Sequence, residues 1–290
     1  MKPALLLIAC AACDDGLDQR LAIVREPRVL AVISEPAEAK PTQPVTLRAV
    51  IASPDGPVTS PPAWGFCVAP KPPTEDNAVS DGCIGESMIL TLGTGPTATG
   101  TLPGDGCLRF GPDVPPGMDF RSRDADSTGG YYQPVRVAVD DLLAFGLPRI
   151  TCKLGRAPFD VAFDYDQRYV ANANPTLLPS TLARVAANSD VTLRAAWPAS
   201  SAEAYLYFDP RSQSLVDRHE ALRVSWFATG GALAVDATAV GELDDATEVS
   251  TTWHTPPAGP AWIWIVLRDS RGGIATQTFA VTVDGSSSAF

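Results

Sequence analysis

The chain has 290 residues, 45% of them hydrophobic, and a formal net charge of −11. It is long enough for two domains with buried cores and too apolar to be disordered. With no cluster of Lys or Arg to offset the acid, nucleic acid and anionic membrane surfaces are excluded as direct partners.

The 27 prolines and 23 glycines suit short strands joined by turns better than packed helices. In order, the chain opens with Lys2, an apolar stretch over Ala4–Ala9, cysteines at positions 10 and 13, and an abrupt Asp14-Asp15. A positive start, an apolar centre and small residues before a cleavage point are the parts of an export signal. No segment reaches the roughly 20 apolar residues of a membrane-spanning helix.

Leu7-Ile8-Ala9-Cys10, with Ala11-Ala12-Cys13 behind it, resembles the signals of bacterial lipoproteins. The resemblance implies that one cysteine carries a lipid and becomes the mature N-terminus. Cys13 is favoured, because Asp14-Asp15 suits an exposed tether and not a signal interior; Cys10 is the alternative. Loss of Lys2 with the signal would leave −11 − 1 = −12. The expectation is residues 1–13 as signal and lipobox, 14–26 as tether, and a protein anchored through its lipid to the periplasmic or surface face of a bacterial cell envelope. Two acyl chains suffice for stable anchoring, at about 0.8 kcal/mol per buried CH₂.

Export agrees with the remaining cysteines, Cys67, Cys83, Cys107 and Cys152. An even number in an oxidising compartment suggests two disulfides. Three connectivities are open. Cys67–Cys83 with Cys107–Cys152 is favoured: the first closes a loop rich in Pro, Asp and Asn, and the second ties an irregular segment to a predicted strand. Each would contribute about 3–4 kcal/mol in the loop-entropy account. Zinc is disfavoured because the cysteines stand 16, 24 and 45 residues apart, with no C-x-x-C pair.

Arg28–Ser34 reads as a strand, residues 35–44 as a Pro-rich turn, and Val45–Ala52 as a strand alternating Val45, Leu47 and Ala49 against Thr46 and Arg48. Asp55-Gly56 is a turn, and Trp64–Ala69 the next strand. This order resembles the opening of an immunoglobulin-like (Ig-like) sandwich, without the antibody-type cysteine spacing. Further strands are predicted at Ser87–Leu92, Gln133–Val139, Leu147–Leu154 and Phe159–Asp166, with a single helical turn at Asp140–Phe145. Asn172–Thr176, a turn-forming cluster, divides a first domain (27–171) from a second (172–284).

The second half repeats the theme. Val191-Thr-Leu-Arg-Ala195 matches Val45-Thr-Leu-Arg-Ala49, which suggests two copies of one plan. An extra segment, Pro198–Ala221, precedes strands at Leu222–Ala228, Thr247–Trp253, Ala261–Leu267 and Ile274–Val283; residues 285–290 are a tail. Trp253-His-Thr-Pro-Pro, the apolar strand and Arg268-Asp-Ser-Arg-Gly-Gly together resemble the C-terminal half of the Ig-like or PKD-like modules of bacterial surface proteins. The resemblance covers residues 222–284 and implies an all-β protein of two Ig-like antiparallel β-sandwiches in tandem. It is nearly silent on function.

Catalytic chemistry finds little to use. The two histidines, His219 and His254, lie outside any metalloprotease pattern, and no nucleophile elbow or nucleotide-binding loop is present. No catalytic residue is assigned. Asp124, Asp126 and Thr128 before Gly129 resemble the start of a calcium loop, but the twelfth position is Val135, not Glu. Calcium is therefore the one cofactor to test. Trp262 and Trp264 share one strand face and Ile263, Ile265 and Leu267 the other; one face meets the core, and the other is covered by the extra segment Pro198–Ala221 or by neighbouring strands, or else is a sugar platform or a patch against the first domain. The expected function is non-enzymatic, a structural or protein-interaction module whose partner is an envelope protein or glycan. The alternative is a carbohydrate-binding or calcium-dependent adhesive module.

Overall fold

A computed structural model describes residues 21–70, 79–113, 117 and 127–285. In the first sandwich, β1 (Arg28–Glu35) pairs with β3 (Pro44–Ser53), which also carries β4 (Gly56–Pro57) and β7 (Thr97–Thr101). The facing sheet runs β10 (Leu142–Gly146), β9 (Val135–Val139), β5 (Ala63–Cys67), β6 (Ile89–Thr94). A small sheet of β2 (Glu38–Ala39), β11 (Arg149–Thr151) and β8 (Gly130–Tyr132) closes one end. Alternation sets the faces: Val45 and Leu47 of β3 meet Trp64, Phe66, Val135 and Val137 in the core, while Thr46 and Arg48 face water.

The second sandwich sets β12 (Arg184–Ala186), β21 (Ile274–Asp284), β20 (Gly259–Asp269), β16 (Leu222–Ala228) and β18 (Ala237–Val240) against β13 (Asp190–Ala196), β19 (Glu248–His254) and β17 (Ala232–Leu233). Both copies of Val-Thr-Leu-Arg-Ala lie in equivalent amphipathic strands, β3 and β13, and their leucines, Leu47 and Leu193, are both buried. The architecture is all-β and Ig-like, as expected from the strand pattern.

The sandwiches lie side by side. Leu30, Ala31 and Ile33 of β1 and Ala52 of β3 pack on Trp264 and Val266 of β20, whose alternate residues Ile263, Ile265 and Leu267 enter their own core. β20 is buried on both faces, which accounts for its unbroken apolar run.

Residues 21–26, expected as tether, belong to the packed structure. Ala22 and Val24 are each 1% exposed, Ile23 bridges to Ala228, and the Val24 N–H donates to the Ala228 carbonyl at 2.8 Å. Residues 22–24 thus lie in the seam between the sandwiches, at the end that also carries the turns at 53–56, 140–141, 229–231 and 256–259. The opposite, far end carries the turns at 36–44, 240–247 and 269–273.

Two local expectations are corrected. Asp140–Phe145 is no helical turn: Asp140 adopts φ 50° and reverses the chain into β10, paired to β9. Phe159–Asp166 is no strand: Phe159–Arg168 forms a helix. In a two-residue alternation, residues four apart also share a helical face, so Val161, Tyr165 and Tyr169 form a stripe in either conformation. That stripe packs on Leu154, Leu206, Phe208 and Leu215. Leu206, Phe208 and Leu215 come from the extra segment, a hairpin of β14 (Ala204–Asp209) and β15 (Ser214–His219) that reaches across to the first sandwich, where the Phe208 N–H donates to the Ser127 carbonyl at 2.7 Å.

Candidate functional site

The predicted cysteine pairs form. Cys67 bonds Cys83 and Cys107 bonds Cys152, with Cα–Cα separations of 5.5 and 5.7 Å. Both lie toward the far end of the first sandwich.

The tryptophan face is not a sugar platform. Trp264 is 0% exposed, beneath the first sandwich, and Trp262 stacks on it with ring centroids 6.4 Å apart. Gly56 lets the neighbouring turn close over Trp262: its φ is 118°, and a Cβ there would stand 2.6 Å from the indole ring. Of the proposed calcium ligands, Asp124 and Asp126 lie outside the described residues, as do Cys10 and Cys13. Thr128 is described, and both of its oxygens accept from the Arg149 guanidinium, at 2.6 and 3.2 Å. His219 and His254 are exposed, the latter against Asp190 at 2.9 Å.

The densest polar constellation lies at the far end of the seam, around residues 169–176, the segment read from sequence as a domain boundary. On the first-sandwich side, the Glu38 carboxylate is fully buried. It forms an ion pair with the Arg149 guanidinium, whose Nε lies at 3.1 Å, and accepts from the Tyr169 hydroxyl at 2.6 Å and the Asn172 N–H at 2.9 Å. The Tyr165 hydroxyl donates to the Thr128 carbonyl, and its ring stacks on Tyr169 at 4.8 Å.

On the other side, β20 ends on Asp269 and the turn after it supplies Arg271. Arg271 reaches Glu220 Oε1 at 2.6 Å, Glu203 Oε2 at 3.0 Å and the Val170 carbonyl at 3.1 Å. Asp269 accepts from the Arg271 and Gly273 N–H groups, both at 2.9 Å, and from the Asn172 amide at 3.2 Å. Asn172 therefore holds Glu38 with its backbone and Asp269 with its side chain. Asn174 repeats the arrangement, donating to the Ser34 carbonyl at 2.8 Å and accepting from the Ile274 N–H at 2.8 Å.

Burial sets the electrostatics. It pushes the Glu220 carboxyl up to about 7, reinforced by Asp269 and opposed by Arg271. It raises Asp269 above the usual carboxylate range and Tyr169 to about 12. Burial works against the Arg271 guanidinium, but Glu220 outweighs it and holds that group above its ordinary value. Among the described residues, no group of three His, Cys, Asp or Glu is arranged to hold a metal ion. With its donors turned onto protein acceptors, the constellation acts as a clamp that fixes one sandwich against the other. The sequence does not reveal it, because its members are spread over a Pro-rich turn, two predicted strands, the extra segment and the 172–176 turn cluster, far apart in the chain.

No family model matches the chain, and no curated protein does. Among solved structures, it is similar to the adhesin InvE of Yersinia pseudotuberculosis at 13% identity, covering 89% of this chain and 59% of that one with a TM-score of 0.25. It is similar to the D0-D1 domain of intimin at 11% identity, covering 88% and 99% with a TM-score of 0.23. The Dpr11 IG1 complex with DIP-gamma gives 9% identity over 89% and 98%, with a TM-score of 0.21. The chain thus spans about three-fifths of the InvE chain. Likeness at this level adds nothing to what the strand pairing already shows.

Proposed function

We propose that this chain is a non-enzymatic, lipid-anchored module of the bacterial cell envelope, which works by holding a fixed surface toward a protein or glycan partner. The observation that carries this reading is the polarity of the molecule, with residues 22–24 packed into one end of the seam between the sandwiches. Ala22 and Val24 are locked into the seam at one end. The disulfides, the helix Phe159–Arg168 and the β14–β15 hairpin gather at the other. From Cys13 to Leu21 is 21 − 13 = 8 residues, a reach of at most about 29 Å. A lipid on Cys13 would keep the seam end near the bilayer and turn the far end outward. The two disulfides favour an oxidising, extracytoplasmic compartment.

Intact mass of the native protein from the membrane fraction tests the anchor. The expected mature N-terminus is a diacylated Cys13, and Cys13→Ser should abolish both processing and membrane retention. An unprocessed chain beginning at Met1 would overturn the reading, and a lipid on Cys10 would move the anchor three residues outward.

A further inference from the structure

The far end of the first sandwich carries a cleft of about 680 Å³, within the roughly 300–1,000 Å³ of ordinary small-ligand sites. Separate parts of the chain wall it: Lys40 from the turn at 36–44, the Cys107–Cys152 disulfide with Lys153, and Asp166 and Tyr169 from the helix Phe159–Arg168 and its end. Each wall is fixed. The Lys40 N–H donates to Gln43 Oε1 at 2.8 Å, the Gln43 N–H donates back to the Lys40 carbonyl at 3.1 Å, and the Thr42 N–H donates to the Leu102 carbonyl at 3.0 Å. The disulfide ties the helical turn Gly106–Arg109 to the residue after β11. Tyr169 is held by its hydroxyl bond to Glu38. Walls pinned in this way lose little freedom when a ligand docks, which lowers the cost of binding.

The lining carries charges of both signs. The chain has four lysines, and two of them, Lys40 and Lys153, line this cleft. Lys153 Nζ lies 3.1 Å from Asp113 Oδ1, so its charge is answered. The exposed Lys40 ammonium and the exposed Asp166 carboxylate make no hydrogen bond or ion pair among the described residues. One cation and one carboxylate are therefore available on different walls, with the half-buried Tyr169 lining the same space. A ligand that answers both must bring an anion for Lys40 and hydrogen-bond donors for Asp166. A sugar ring bearing a carboxylate brings both, and its apolar face can pack on an aromatic ring. A bare anion would leave Asp166 facing like charge, and a neutral sugar would leave Lys40 unanswered. The net charge of −11 does not oppose this, because charges more than about 8 Å away are largely screened at physiological ionic strength.

We propose that this cleft binds an acidic sugar residue, a hexuronate within a glycan, with the sugar carboxylate on Lys40 and sugar hydroxyls on Asp166. The proposal rests on the reading of the far end as the face turned toward a partner, and it selects a glycan as that partner over a protein.

Isothermal titration calorimetry of the full chain in detergent tests the site, with trigalacturonate and a hyaluronan tetrasaccharide as probes. At least one should bind at a single site with a dissociation constant in the millimolar range or tighter. The methyl ester of that probe, which keeps the rings and hydroxyls and loses the charge, should bind about tenfold more weakly, and inorganic phosphate should not compete. Lys40→Gln should also cost about tenfold, while Lys40→Arg keeps the binding. Both variants change an exposed side chain, and an unaltered Tm confirms that they fold. Four results would each overturn the proposal: neither probe binds at millimolar concentration, the ester binds as well as the acid, phosphate displaces the sugar, or binding survives Lys40→Gln. The mass of the mature N-terminus reports the anchor separately. A diacylated Cys13 on a protein that binds no hexuronate would remove this site and leave the anchored reading standing.

Discussion

At the scale of single residues, Asn172 shows why the seam resists opening. It is buried, and two of its groups bond opposite sandwiches, the N–H to Glu38 and the amide to Asp269. Asn172→Ala keeps the first bond and leaves Asp269 with one donor fewer, at a cost of about 1–3 kcal/mol. Asn172→Asp is the sharper change, because it sets a second buried carboxylate against Asp269. Its own carboxyl would be raised by burial and by that neighbour, so the penalty grows as pH rises. Urea unfolding at pH 5 and pH 8 should show Asp and Ala variants alike in acid and the Asp variant clearly weaker in base. Equal losses at both pH values would mean that the site opens to water and that Asn172 does not bridge.

At the scale of elements, the chain's first described residues and β20 carry the main lessons. Val24 packs among Leu30, Ile33, Trp264 and Val266. Val24→Ala removes two buried methylene equivalents and should cost about 2 kcal/mol in denaturant unfolding. A residue in a loose tether would give no change. The sequence made β3 and β13 legible, because each alternates apolar and polar residues over one half-buried sheet. It hid the helix Phe159–Arg168, where a two-residue alternation and a four-residue stripe share the same positions. It hid β7 as well, since Thr97–Thr101 buries only Ala98. For β20, alternation assigned Trp262 and Trp264 to one face, but nothing local says what covers a face. The clamp was illegible for the same reason. Glu38 meets Asn172 across 134 residues and Arg271 meets Glu220 across 51, while each looked locally like an ordinary turn or strand-end charge.

At the scale of the whole molecule, the question is whether the sandwiches unfold separately. The disulfides lie in the first, and five of the six tryptophans lie in the second. Independent domains would respond separately. Reduction would destabilise the first, and the fluorescence transition reporting Trp226 and Trp253 in the second core would not move. The structure predicts otherwise. Ala22 fills the second core from a segment that leads directly into β1, Trp264 and Val266 are covered only while the first sandwich is folded, and the β14–β15 hairpin closes over the helix of the first half. Unfolding the first sandwich would expose that apolar surface and break the Glu38–Asn172–Asp269 bridge, so the second should not outlast it by much. Reduction removes two constraints of about 3–4 kcal/mol each on the unfolded chain. The expected result is one cooperative transition by calorimetry and by tryptophan fluorescence, moving as a whole to lower temperature when the disulfides are reduced. Two separable transitions, with only the first shifted by reductant, would show that the seam does not couple the halves.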